Sequence, residues 1–191
     1  MPMEVNEALP EYKRYTYEDY CSWDDDKLWE LIDGMPYAMA APSQRHQEIL
    51  LQLGRMIGNF LVGKTCKVFV APFAVRLNEA YGDDTVLLPD LLVVCDMAKL
   101  DGKCCVGAPD MAIEILSPST AVRDRVIKLK RYLNAGVREY WIVDPDSRTI
   151  SVHLLMDRQY VISAYAYGED AAVPIHVLDG CTIDLTEVFE E

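Results

Sequence analysis

The sequence predicts an α/β protein of the mixed α+β kind. Three observations predict it. Short apolar runs of strand length are interspersed with two longer stretches whose apolar residues recur at helical spacing. One of those stretches lies between the runs MAIEIL and EYWIVDP, giving a strand-helix-strand unit with a right-handed crossover. A length of 191 residues falls at the upper end of common single-domain sizes. Residues 1–191 are therefore read as one domain, with a core over about 15–155 and no repeat or interdomain linker.

Thr16 caps a helix running to about Lys27, with Glu18 and Asp19 in its first turn beside the positive end of the dipole. Asp33-Gly34 joins two apolar-rich runs, which predicts a hairpin with strands at about Leu28–Ile32 and Met35–Met39. Pro36 cannot donate to a ladder, so the second strand belongs at a sheet edge or begins late. From Ser43, the residues Ile49, Leu50, Leu53, Ile57, Phe60 and Leu61 form an apolar helical stripe that Gly63 can end.

The runs KVFVAP, FAVRL, LLPDLLVV and MAIEIL read as strands, and the stretch between Cys95 and Asp110 as a loop. After SPST, Val122, Val126, Leu129 and Leu133 mark a second helix ending at Gly136. EYWIVDP is a continuous apolar strand, and RTISVHLL with QYVISAYAY an antiparallel pair at the sheet edge.

With 51% hydrophobic and 26% charged residues, enough apolar surface is available to offset the entropy lost on folding. MPMEVNEALPEYKRY has neither the charge nor the apolar block of an export signal, and no run reaches bilayer length, which predicts a cytoplasmic protein. The six cysteines have neither zinc-ligand nor redox spacing and are read as reduced thiols. A net charge of −13 counts against a polyanion partner, unless basic residues cluster locally or divalent cations neutralise an acidic site.

Glu114 stands inside the apolar strand Ala112–Leu116, where an uncompensated carboxylate costs on the order of several kcal/mol. Asp90 follows Pro89 at the start of Leu91–Val94, 24 residues earlier. Two such acids on neighbouring strands can share a Mg²⁺ ion through hard oxygen ligands, with water completing the octahedron. The residues alone leave a second reading equally open: Asp90 in solvent at a strand edge and Glu114 paired with an arginine.

The order ELIDG, Ser43 and His46 leading a helix, LPDLLVV, IEILSPST, the stripe Asp124, Lys128, Tyr132, and GVREYWIVDP resembles the family of putative restriction endonucleases in the PD-(D/E)XK nuclease superfamily. The resemblance covers about residues 15–155 and implies a restriction-endonuclease-like fold, a central mixed β-sheet flanked by helices. It implies Asp90 and Glu114 as ligands of a divalent metal, Mg²⁺ or Mn²⁺, and in the expected mechanism the Ile115 carbonyl completes the coordination. The sequence departs from the superfamily at Leu116, where a lysine is usual. The matching family position for a substitute is Lys128, with Lys130 second, its role being to orient water and offset phosphate charge. On an exposed helix Lys128 would instead merely pair with Asp124 four residues away.

Glu30, His46 and Asp124 are further candidates: Glu30 as an accessory ligand or a solvated strand-end residue, His46 as a partner of a phosphate or an active-site acid or as a structural histidine. Arg123, Arg125, Lys128, Lys130 and Arg131 against the single Asp124 make the second helix a candidate phosphate-binding patch or a solvated face. Tyr140 and Trp141 are read as core aromatics, while His153 and His176 have no evident partner. The expected function is metal-dependent hydrolysis of DNA phosphodiester bonds, with a catalytically inactive nuclease-fold binding or scaffold protein as the alternative. A hydrolase of small phosphoesters is a weaker third. A homodimer is expected because a duplex presents two strands.

Overall fold

The structure is a computed structural model that describes residues 13–79 and 82–190. The N-terminal stretch read above for an export signal lies largely outside the described residues. Among those described, no helix is long and apolar enough to cross a membrane.

The predicted elements form, with altered limits. Helix α1 covers only Tyr17–Cys21, opened by a capping box between Thr16 and Asp19. It stops short of Lys27 because Asp24, Asp25 and Asp26 would stand at the negative end of its dipole; Asp25 instead accepts a hydrogen bond from the Trp29 indole at 2.8 Å. Strands β1 (Trp29–Ile32) and β2 (Met35–Ala38) make the hairpin. Asp33 and Gly34 both adopt positive φ, 51° and 75°, as the two-residue turn requires. Helix α2 (Gln44–Leu61) begins where Ser43 accepts from the His46 amide at 3.2 Å.

Beyond it lie β3 (Lys67–Val70), β4 (Ala74–Arg76), β5 (Val86–Leu87), β6 (Leu91–Val94), β7 (Cys104–Val106) and β8 (Met111–Ile115). Strand β7 corrects the reading of 95–110 as a loop: three residues are too few to show periodicity, and a parallel ladder to β4 recruits them. A π-helical segment, Arg123–Lys128, runs into α3 (Leu129–Ala135) and ends at Gly136 with φ 84°. Strands β9 (Glu139–Asp144), β10 (Thr149–Met156) and β11 (Gln159–Ala166) follow, then β12 (Ala172–Pro174), β13 (Thr182–Asp184) and α4 (Leu185–Phe189).

The mixed β-structure is divided between two large sheets, with β12 and β13 paired separately. The first runs β2-β1-β5-β4-β7, which places Pro36 on an edge strand as expected; the second runs β11-β10-β9-β8-β6-β3. The chain passes between them at Leu88-Pro89-Asp90, where the missing proline amide interrupts the ladder. In the second sheet β8 and β9 are parallel and the other neighbours antiparallel, as the strand-helix-strand pattern and the C-terminal pair predict.

One face of this sheet is covered by α2 and α4 through Ile49, Leu53, Ile57, Leu185 and Phe189. The other meets α3 and the first sheet through Tyr132, Tyr140, Ile32 and Val75. Burying each large aliphatic side chain contributes roughly 1.5–3 kcal/mol.

Two of the six cysteines are not free. The register Lys67 opposite Val94 brings Cys66 against Cys95, and they form a disulfide. Cys104, Cys105 and Cys181 are buried thiols as expected, while Cys21 is exposed.

Candidate active site

The junction of the two sheets gathers the predicted acids. Asp90 immediately precedes β6, and the register Leu91 opposite Ile113 places it across from Glu114 on β8. The β6 ladder ends there, so the Ile115 amide takes the Asp90 Oδ2 oxygen as acceptor at 2.7 Å. Its Oδ1 lies 3.2 Å from His46 Nε2, delivered by the first turn of α2. His46 is thus placed by the Ser43 cap against the Asp90 carboxylate. Burial alone would lower its pKa, but the bond to Asp90 and that carboxylate's charge hold it above the ordinary histidine value.

Glu114 is 3% exposed, and its Oε1 accepts from Lys128 Nζ at 2.9 Å and from the Tyr132 hydroxyl at 3.0 Å. Lys128, 2% exposed, also lies 2.8 Å from Glu30 Oε1 and 3.3 Å from Asp124 Oδ1. The ammonium that reaches Glu114 therefore comes from the π-helical segment. Lys130 is exposed on α3 and is not among the contacts of Glu114.

Two expectations are corrected. Glu30 is fully buried, not solvated at a strand end; its Oε1 accepts the Leu88 amide at 3.0 Å, the amide just before the Pro89 break. The Lys128–Asp124 pair is likewise buried, not exposed on a helix face. Residues four apart on an α-helix drift round its axis by about 40° per step. The wider π turn takes up that drift and keeps Asp124, Lys128 and Tyr132 aimed at the sheet. Tyr132 takes part through its hydroxyl, for which its position four residues after Lys128 was the available signal.

The balance of charge is uneven. Burial, and then the carboxylates of Asp124, Asp90 and Glu30, push the Glu114 pKa well above the usual range against the pull of Lys128. Burial also raises Asp124. Burial disfavours the Lys128 ammonium, yet Glu114, Glu30 and Asp124 together hold its pKa well above the lysine norm. Asp124 Oδ1 is buried without an aligned hydrogen bond. The site thus sets four carboxylates against Lys128, His46 beside Asp90 and Arg123 beside Glu30. A cleft of about 940 Å³ opens onto it, with Asp90, Glu114, Asp124, Lys128, Glu30 and His46 in its lining and apolar residues such as Leu28 and Leu51 at its walls.

Carboxylate and carbonyl oxygens are hard donors, which suit a divalent cation in donor chemistry. Among the described residues no group of three or more His, Cys, Asp or Glu side chains is arranged to hold an ion. Two carboxylates and a backbone carbonyl would therefore leave the remaining positions to water.

The candidate phosphate patch is not borne out as a free basic face. Arg123 pairs with Glu30 at 3.4 Å and lies over the Tyr37 ring. Arg125 pairs with Asp144 at 2.8 Å, Arg131 with Asp33, and Lys128 is enclosed. The acidic surroundings of an acidic chain claim these cations. Tyr140 and Trp141 are fully buried core residues as expected. His153 lies between the rings of Tyr140 and Tyr160, and His176 lies 3.5 Å from Glu139.

A family model described as "Uma2, putative restriction endonuclease" matches residues 15–186. An uncharacterized protein of Synechocystis sp. is 26% identical over 145 residues, covering 74% of this chain and 75% of that one. In fold, the chain is similar to the crystal structure of a putative nuclease belonging to DUF820 from Anabaena variabilis, at a TM-score of 0.74 and 20% identity. That match covers 91% of this chain and 97% of the other.

Proposed function

The chain belongs to the Uma2 family of putative restriction endonucleases, and from that premise we propose that it is a divalent-metal-dependent endonuclease hydrolysing phosphodiester bonds of DNA. The observation that carries the reading is the Lys128 ammonium 2.9 Å from Glu114, reached from a different element than the superfamily pattern uses.

Asp90, Glu114 and the Ile115 carbonyl are the groups that would hold Mg²⁺ or Mn²⁺. When bound, such an ion lowers the pKa of a coordinated water and offsets charge growing on the phosphate. The chain's own residues do the positioning. His46 and the Ile115 amide fix the two Asp90 oxygens, while Tyr132 and Lys128 orient the Glu114 carboxylate. Lys128 donates toward the attacking water and the scissile phosphate, with Glu30 and Asp124 keeping it charged.

The test pairs cleavage with metal titration. Glu114→Gln retains an acceptor for Lys128 and is expected to unfold at an unchanged temperature while losing Mg²⁺-dependent cleavage of plasmid DNA; cleavage at the wild-type rate sinks the mechanism. The pairing of Arg123, Arg125 and Arg131 with acids, in a chain of net charge −13, favours a second reading: a nuclease fold retained as an inactive binding or scaffold protein. Calorimetry separates the two. Heat of Mn²⁺ binding that vanishes in Asp90→Asn supports the enzyme, and no heat in the wild type supports the scaffold.

A further inference from the structure

We propose that the free edge of β11 pairs with the same edge of a second copy, about a two-fold axis at Ile162, to make one continuous sheet across a homodimer. Strand β11 ends the six-stranded sheet, and among the described residues no strand pairs with its outer side. The direction of each backbone group follows from the ladder. The Tyr167 amide bonds to the Arg148 carbonyl, continuing the register in which Thr149 faces Ala166 and Met156 faces Gln159. Hydrogen-bonded pairs alternate along an antiparallel ladder. Gln159, Val161, Ser163 and Tyr165 therefore bond inward to β10, while Tyr160, Ile162, Ala164 and Ala166 present N–H and C=O outward. The other side of β10 agrees, because the Leu155 amide bonds to the Arg138 carbonyl, so its odd-numbered residues serve β9.

The outermost amide is already satisfied: Ala166 N–H donates to Asp170 Oδ2 at 2.9 Å. That contact leaves Tyr160, Ile162 and Ala164, a stretch symmetric about Ile162. An antiparallel second copy centred there exchanges both backbone bonds at Ile162 and sets Tyr160 against Ala164 in each direction.

The edge lacks the devices that keep edges apart. The strand carries no charge, proline or bulge through its whole register, and Val161 and Ile162 are 51% and 62% exposed. In a chain of net charge −13, an uncharged segment is where two copies approach without repulsion. The same register puts Arg158 of one copy opposite Ala166 of the other, beside the Asp170 that caps it, so at each end this arginine stands among Asp157, Glu169 and Asp170. A strand meeting itself across a two-fold axis is self-complementary, which selects a second copy over an unrelated peptide.

Sedimentation equilibrium across a concentration series, with amide hydrogen exchange on the same samples, tests this. The wild type is expected to reach twice the chain mass, with the Tyr160, Ile162 and Ala164 amides protected at high concentration and released on dilution; those of Val161, Ser163 and Tyr165 stay protected throughout. Ile162→Lys places charge on the axis, and Ile162→Pro removes an outward amide but no bond to β10. Both are expected to be monomeric and folded. A wild type that stays monomeric, a dimer that survives both substitutions, or a dimer in which the outward amides exchange freely overturns the proposal. The exchange data on the wild type decide it even where a variant fails to fold.

Discussion

The two faces of the six-stranded sheet are covered in contrasting ways. On one, α2 lays Ile49, Leu53 and Ile57 against β6, β8 and β9 in an apolar contact. On the other, the π-helical segment and α3 lay Asp124, Lys128 and Tyr132 against Glu114, with Glu30 arriving from the first sheet. The first face gains stability from each side chain alone. The second must desolvate one cation and several carboxylates, and depends on the Lys128 ammonium that Glu30, Glu114 and Asp124 share. Replacing such a group by apolar residues is often neutral or stabilising, so folding alone does not call for it.

The sharpest way to break this contrast is to remove the cation. Lys128→Met keeps volume but strands Glu30, Glu114 and Asp124, and is expected to cost about 3–5 kcal/mol in urea unfolding. A neutral result would mean that the cluster is not coupled to folding. On the apolar face Leu53→Ala is expected to cost about 2–4 kcal/mol by loss of contact and the cavity left. Unlike Lys128→Met, it should leave any metal-binding heat unchanged.

A smaller effect separates the faces by pH. His153, on the α3 side of β10, has its pKa lowered below 6.5, first by burial and then by the charge of Arg125. A histidine depressed in the folded state stays neutral where the unfolded chain takes up a proton. Its share of stability is therefore present above pH 6.5 and is lost as pH falls through the folded value. Thermal unfolding of His153→Gln should show a shallower loss below pH 6.5 than the wild type. Smallest of all, Arg125→Ala breaks a half-exposed pair with Asp144 and is expected to cost about 0.5 kcal/mol, less in high salt.

Local chemistry was legible in the sequence. The Ser43 cap, the Asp33-Gly34 turn, Gly136 and the apolar strands carry their conformations in neighbouring residues, and the structure keeps them. Asp90 and Glu114 were legible because a carboxylate in an apolar strand needs a partner. What escaped depends on distant chain. Three residues, Cys104–Val106, become a strand only through β4, and Glu30 is buried only because Leu88 and Lys128 reach it. The basic helix looked free because its partners, Asp33, Glu30 and Asp144, lie far from it in sequence.

The widened turn at Arg123–Lys128 makes residue count matter more than residue identity in that stretch. Val122 and Val126, 76% and 61% exposed, are open to exchange for other side chains. A single residue inserted between them would swing Asp124 round the axis by about 100° and away from Lys128, whereas deleting Arg125 would let the stretch wind as an ordinary helix with Asp124 three positions before Lys128 and still on its side. Single-residue insertions there should be tolerated far less than point substitutions.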